Sequence, residues 1–237
     1  MSILEPDQLT GRVRTHVLEL PQPRCTLHPE AARAFLAMRS AAARAGIELA
    51  PASSFRDFNQ QLAIWNAKFH GRRPLLDRAG SVLDPAGMTA DEIVQAILCW
   101  SALPGASRHH WGTEVDVFDR AALPAGAQAQ LLPSEFAAHG SFERLGQWLA
   151  RHCERYGFFA PYDRDRGGVQ PEPWHISYAP ISGRALQDVT VELLAQTLGG
   201  VDLAGAAVVQ RQIQQIHARY VCAVAQPSAR ALMPSVP

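Results

Sequence analysis

Apolar positions along this chain recur with a helical period in some stretches and alternate in shorter ones. Residues 29–45 place Phe35, Met38 and Ala42 on one helical face, with Pro29 suited to the first turn and Gly46 as the stop. Ile47 to Phe55 is short, apolar and bounded by Gly46 and Asp57, which predicts a strand entering the core. Asp57 is placed to cap a second helix carrying Phe58, Leu62, Ile64 and Trp65. Thr89 and Glu92 form a capping box for a third, with Ile93, Ala96, Ile97 and Trp100 on one face and Pro104-Gly105 ending it. Thr113 to Phe118 alternates and is rich in strand formers. Ser141 to Tyr156 returns to the helical period and is closed by Gly157. Trp174 to Tyr178 predicts another short strand, and two further helices cover about 188–198 and 206–224, separated by Gly199-Gly200.

Between these elements, 71–87 is rich in Gly, Pro, Arg and Asp and predicts a loop, and 226–237 predicts a disordered tail. Helices lie mostly at the two ends and between short strands. The expectation is an α+β fold, a small antiparallel sheet flanked by helices, rather than a doubly wound parallel sheet. The principal domain is expected over 1–185, including an N-terminal extension, with helices of 186–225 packed on it or appended to it.

Composition narrows the partners. The chain has 237 residues and 22 basic against 22 acidic side chains, so no basic field argues for nucleic acid and no acidic tail for a cationic partner. Lys68 is the only lysine, a scarcity that reads as compositional bias in an Ala-rich and Arg-rich sequence. Four scattered cysteines, Cys25, Cys99, Cys153 and Cys222, are expected to be free thiols. The N-terminal residues have no apolar run of signal-peptide or membrane-spanning type, which gives a cytoplasmic expectation, or a periplasmic one if a leader has been removed. Oligomeric state is left open.

The chemistry gathers in two clusters, Ser107-Arg-His-His-Trp-Gly-Thr-Glu-Val-Asp116 and Glu172-Pro-Trp-His175. A catalytic zinc takes three protein ligands and keeps a fourth position for water or substrate, and His109, Asp116 and His175 would supply such a set. On one continuous strand, residues seven apart face opposite sides, so this assignment requires a bend near Gly112. Spacing alone leaves His109 and His110 tied. Glu172, three residues before His175, is either a base acting on water or a solvated surface charge, and Pro173 would have to distort the strand entry for the first.

These residues resemble the zinc D-alanyl-D-alanine carboxypeptidases and dipeptidases of the VanY and VanX kind, whose fold is shared with the Hedgehog signalling domain. The family pattern S-x-H-x-x-G-x-x-x-D is matched by Ser107, His109, Gly112 and Asp116, and E-x-W-H by Glu172, Trp174 and His175. Ser54-Phe55-Arg56 followed by Gln61 resembles a further element, S-x-Y-R-S-x-x-x-Q. The resemblance implies zinc on His109, Asp116 and His175, Glu172 as catalytic base, and Arg56 binding substrate near the reacting carbonyl or the terminal carboxylate, assisted by Gln61 and Ser107. Two positions depart from it. Glu114 stands where the pattern usually has alanine, and Phe55 replaces a tyrosine.

The implied activity is zinc carboxypeptidase action on a peptidoglycan-type peptide, releasing a terminal residue expected to be D-alanine. Alternatives are a D-Ala-D-Ala dipeptidase, a peptidoglycan endopeptidase, or a binding module that keeps zinc without catalysis. The 71–87 loop and the C-terminal helices, outside the matching motifs, are the segments expected to reshape the cleft.

Overall fold

The computed structural model describes residues 3–124 and 126–234. Its helices are α1 (Pro6–Leu9), α2 (Pro29–Arg44), α3 (Phe58–Phe69), α4 (Ala90–Leu98), α5 (Pro133–Phe136), α6 (Glu143–His152), α7 (Ala179–Asp188), α8 (Val191–Leu198), α9 (Ala206–Ile216) and α10 (Ala229–Leu232). The strands are β1 (Leu18–Pro21), β2 (Arg24–Leu27), β3 (Leu49–Ser53), β4 (Leu75–Leu76), β5 (Val82–Leu83), β6 (Glu114–Asp119), β7 (Phe158–Phe159) and β8 (His175–Tyr178). The central sheet has the order β3-β6-β8-β7 and is antiparallel throughout; β1-β2 and β4-β5 are separate hairpins. This is the α+β arrangement that the sequence predicts.

The predicted caps form. Asp57 Oδ1 accepts from Gln60 N at 2.8 Å, and Thr89 Oγ1 and Glu92 exchange hydrogen bonds as a capping box opening α4. The apolar face of α2, with Phe35, Met38 and Ala42 fully buried, lies on β3 and on Phe158 of β7. Under it sit Val115, Val117 and Ile176, the core-facing residues of β6 and β8. Burying each such side chain is worth about 1.5–3 kcal/mol, which anchors the two central strands in the core.

Several expectations are corrected. The 71–87 segment contains the β4-β5 hairpin: Leu75 is buried and anchors it. The predicted helix over 141–156 is α6 followed by a 3₁₀ turn over Cys153–Tyr156, closed by Gly157 at φ 81°. The helical tract expected over 188–198 is split by Val189 and Thr190, with Thr190 capping α8, and α7 lies before it. The tract over 206–224 is α-helical only to Ile216 and continues as a π-helical turn over His217–Val221.

The tail predicted to be disordered from 226 holds α10, capped by Ser228 and packed through the buried Ala231 against Phe159 and Ala179; residues 235–237 of that prediction lie outside the described residues. Helices α8 and α9 add Leu194, Val208, Val209 and Ile216 to the main core. They are tied to α3 and α4 by Trp65 Nε1 donating to Ala204 O (2.9 Å) and by the Arg211–Asp91 ion pair (2.7 Å). Among the described residues no helix is long and apolar enough to cross a membrane.

Candidate metal centre and cleft

Strand alternation explains why the polar residues converge. On β6, Glu114 and Asp116 share one face while Val115 and Val117 point into the core. Across the ladder Asp116 pairs with His175 and Glu114 with Ser177, so all four stand on the same face of the two central strands. The first cluster reaches this face through a 3₁₀ turn, Arg108–Trp111, that ends at Gly112 in the left-handed region (φ 69°, ψ 15°). That is the bend the ligand assignment requires. A Cβ on Gly112 would stand 2.3 Å from Val17 Cγ1 and 2.9 Å from His28 N, so glycine serves both the turn and the close approach.

The three residues offer one ligand atom each within 4.8 Å of one another, all buried. His109 Nε2 lies 3.4 Å from Asp116 Oδ2, and His175 Nδ1 lies 2.9 Å from Asp116 Oδ1. Donors held about 2.1 Å from a tetrahedral ion stand about 3.4 Å apart, so the set fits zinc with little adjustment. His109 Nδ1 lies 2.7 Å from Ser54 O, so a proton there leaves Nε2 bare for a metal. Burial lowers the pKa of His109, which favours the neutral, ligating imidazole. For Asp116, burial alone would raise the value, but His109 and His175 more than offset it and keep the carboxylate ionised. Burial acts to lower His175, yet the hydrogen bonds its ring makes to Asp116 and Glu114 outweigh it and raise the group to about 10.

The tie between the histidines resolves against His110. Its ring is fully buried, with Nδ1 2.6 Å from Arg56 O and Nε2 accepting from Gly105 N at 3.2 Å. Both nitrogens are occupied in tying turns together, and burial drops its pKa to about 3.

Glu172 is not a solvated charge. His175 N donates to Glu172 O at 3.0 Å, closing a turn over 172–175 that folds the carboxylate back to within 3.6 Å of His175 Nδ1. Pro173 sits inside that turn, where its fixed φ is an advantage. Burial raises Glu172 to about 7, against the opposing pull of His175.

A cleft of about 660 Å³ opens over this centre, lined by Arg56, Ser107, His109, Asp116, Glu172 and His175 among others. Arg56 is held from behind: its Nη1 donates to Gln61 Oε1 (2.8 Å) and its Nη2 to Ser53 Oγ (3.2 Å). Gln61 is fully buried, and its Nε2 donates to Ala102 O at 2.7 Å, so the amide is used up within the protein. Gln61, expected to assist substrate binding, does not line the cleft; its side chain holds Arg56 from behind. Ser107 lies at the head of the 3₁₀ turn and does reach the cleft.

Three lining groups were missed in the sequence. Lys68, on the last turn of α3, is drawn down by burial and held up by Glu172 beside it. Tyr162 packs its ring 5.0 Å from that of His175. Arg78 lies on the 71–87 hairpin, which reaches the cleft as expected; the C-terminal helices contribute no residue to its lining among the described residues.

The model of the VanY D-alanyl-D-alanine carboxypeptidase family matches residues 24–181. The chain belongs to that family. It is a peptidase, and the matched span holds every motif residue named above. An uncharacterised protein of Haemophilus influenzae is 39% identical over 121 residues, covering 50% of this chain and 92% of that one. A D-alanyl-D-alanine carboxypeptidase of Enterococcus faecalis is 26% identical over 113 residues, 46% of this chain and 36% of its own length. Among solved structures, VanYB in complex with D-alanine-D-alanine shares the fold at a TM-score of 0.50 and 22% identity, over 78% of this chain and 88% of that one.

Proposed function

We propose that this VanY-family chain is a zinc carboxypeptidase that removes a terminal D-alanine from peptidoglycan-type peptides, with His109, Asp116 and His175 holding the metal. The observation that carries the reading is the position of Glu172: a largely, not fully, buried carboxylate 3.6 Å from His175 Nδ1, at the wall of a cleft sized for a few residues of peptide. A bound zinc would polarise the scissile carbonyl and make water more acidic.

Glu172 takes the proton from the attacking water and returns it to the leaving amine. A carboxyl near pH 7 is matched to both halves of that cycle. Arg56, preset by Gln61 and Ser53, presents a planar fork to the terminal carboxylate or to the developing oxyanion. Its guanidinium is close enough to Asp116 and Glu172 for both to favour its charged form against the cost of burial. Ser107 lines the same wall.

The experiment compares D-alanine release from a pentapeptide ending in D-alanyl-D-alanine, from the free D-Ala-D-Ala dipeptide and from a cross-linked peptide, each with zinc and with chelator. Zinc-dependent release from the pentapeptide above the other two supports the reading. Preference for the dipeptide or the cross-link moves the chain to dipeptidase or endopeptidase. Zinc binding with no cleavage of any of them makes it a binding module.

A further inference from the structure

Beside the ligands, on the same face of β6 and β8, Glu114 and Ser177 join the buried Arg108 at the cleft wall in a polar cluster that the proposed reaction does not use. Glu114 is inaccessible to solvent, yet no uncompensated charge results, because every neighbour of its carboxylate is a donor. Oε2 lies 2.8 Å from His175 Nε2. Oε1 accepts from Ser177 Oγ at 2.7 Å and Thr113 Oγ1 at 3.0 Å, and stands 3.4 Å from Arg108 Nη2. Arg108 is itself buried, stacked on Trp111 with its guanidinium 4.7 Å from the ring centroid, and donates through Nη2 to Ser177 Oγ at 2.6 Å. Its Nε and Nη1 have no partner. A buried arginine with two unpaired donors is costly, so its retention needs a return, and among the described residues its one ion pair is with Glu114.

We infer that Glu114 is a positioning residue for the metal centre: it accepts the Nε2 proton of His175, which leaves Nδ1 as the ligating nitrogen, while Arg108 balances the charge. The distances support this division of labour. His175 Nδ1 faces Asp116 and Glu172, and Nε2 faces only Glu114 among the hydrogen-bond partners of the ring. A carboxylate behind a ligating imidazole fixes ring orientation and tautomer and makes the ligand more basic. Ladder pairing of Glu114 with Ser177, one step from the Asp116–His175 pair, sets the carboxylate at that depth. This inference rests on the metal reading above.

Removing Glu114 alone strands Arg108, so the test uses two variants of equal charge and similar volume, Arg108→Met/Glu114→Gln and Arg108→Met/Glu114→Leu. They differ in whether position 114 still accepts a hydrogen bond. Zinc dissociation constants are measured by competition with a chelator, and the His175 proton is located in zinc-loaded wild type by ¹⁵N–¹H NMR of histidine-labelled protein. The expected result is a protected proton on His175 Nε2, and zinc binding roughly 10–100-fold weaker in the leucine variant than in the glutamine one. Equal dissociation constants, or a zinc-loaded wild type with the proton on Nδ1, overturn the inference and leave the metal reading standing. Wild type that takes up no zinc overturns both. Should the leucine variant fail to fold, the wild-type proton position decides alone.

Discussion

Asp116 and His175 face each other directly across the β6–β8 ladder, with Oδ1 2.9 Å from Nδ1. Two segments 59 residues apart thereby acquire a fixed spacing from backbone pairing rather than from loops, which is how a metal site gains precision. His175→Ala and Asp116→Ala should each abolish stoichiometric zinc binding while leaving a cooperative thermal unfolding transition. Elemental analysis of the purified variants checks this, and full zinc content in either would refute the ligand set.

His110→Ala should behave in the opposite way. It removes two buried hydrogen bonds and leaves a cavity, so a loss of about 2–4 kcal/mol in stability is expected. Zinc stoichiometry should stay at one. Denaturant unfolding beside metal analysis separates this histidine from His109, whose replacement should lose the metal.

Gly112→Ala tests the bend. A non-glycine residue at φ 69° costs about 1–2 kcal/mol, and the new methyl would meet Val17 and the backbone of His28. The variant should melt at lower temperature and bind zinc more weakly, because His109 stands on the turn that this glycine ends. Wild-type stability in the variant would show that the turn has an alternative.

Gln61→Ala should reduce activity without touching the cleft. It removes the acceptor that aims Arg56 Nη1, and Arg56→Ala removes the fork itself. Steady-state kinetics on a peptide with a free terminal carboxylate should show a large loss in kcat/KM for Arg56→Ala and a smaller one for Gln61→Ala. Equal losses would indicate that Gln61 contacts substrate after all.

In the metal-free protein the pH dependence of stability carries the signature of Glu172. Its folded value of about 7 lies above the ordinary 4.5, so the folded state holds this proton more tightly than the unfolded chain. The resulting stability is fully present below pH 4.5 and is lost as pH rises through 7. Glu172→Gln cannot titrate there, so its stability relative to wild type should rise across that window. Melting temperatures of both metal-free proteins between pH 4.5 and 8 measure the difference, and a gap independent of pH would contradict the burial of this carboxyl.

Much of this was legible in residue order. Phe35, Met38 and Ala42 mark one helix face because burial selects apolar side chains at that period, and Thr89 with Glu92 announces its own cap. The ligand set was legible only through the ordered motifs, since the two adjacent histidines differ in what their rings meet and not in spacing. Glu114 stayed open because its partners, Ser177 and His175, are defined by strand register, which no local pattern reveals. The β4-β5 hairpin was missed because two-residue strands in a polar segment leave almost no periodic trace. Lys68, discounted as compositional, reaches the cleft because the end of α3 is aimed there by tertiary packing.

The most direct test of the central claim compares wild type with Glu172→Gln, each loaded with one equivalent of zinc and assayed on the same peptide ending in D-alanyl-D-alanine. Both should hold one zinc, and D-alanine release should fall by roughly 10²–10⁴-fold in the variant, the usual worth of a positioned acid–base group. Undiminished release by zinc-loaded Glu172→Gln would contradict the account.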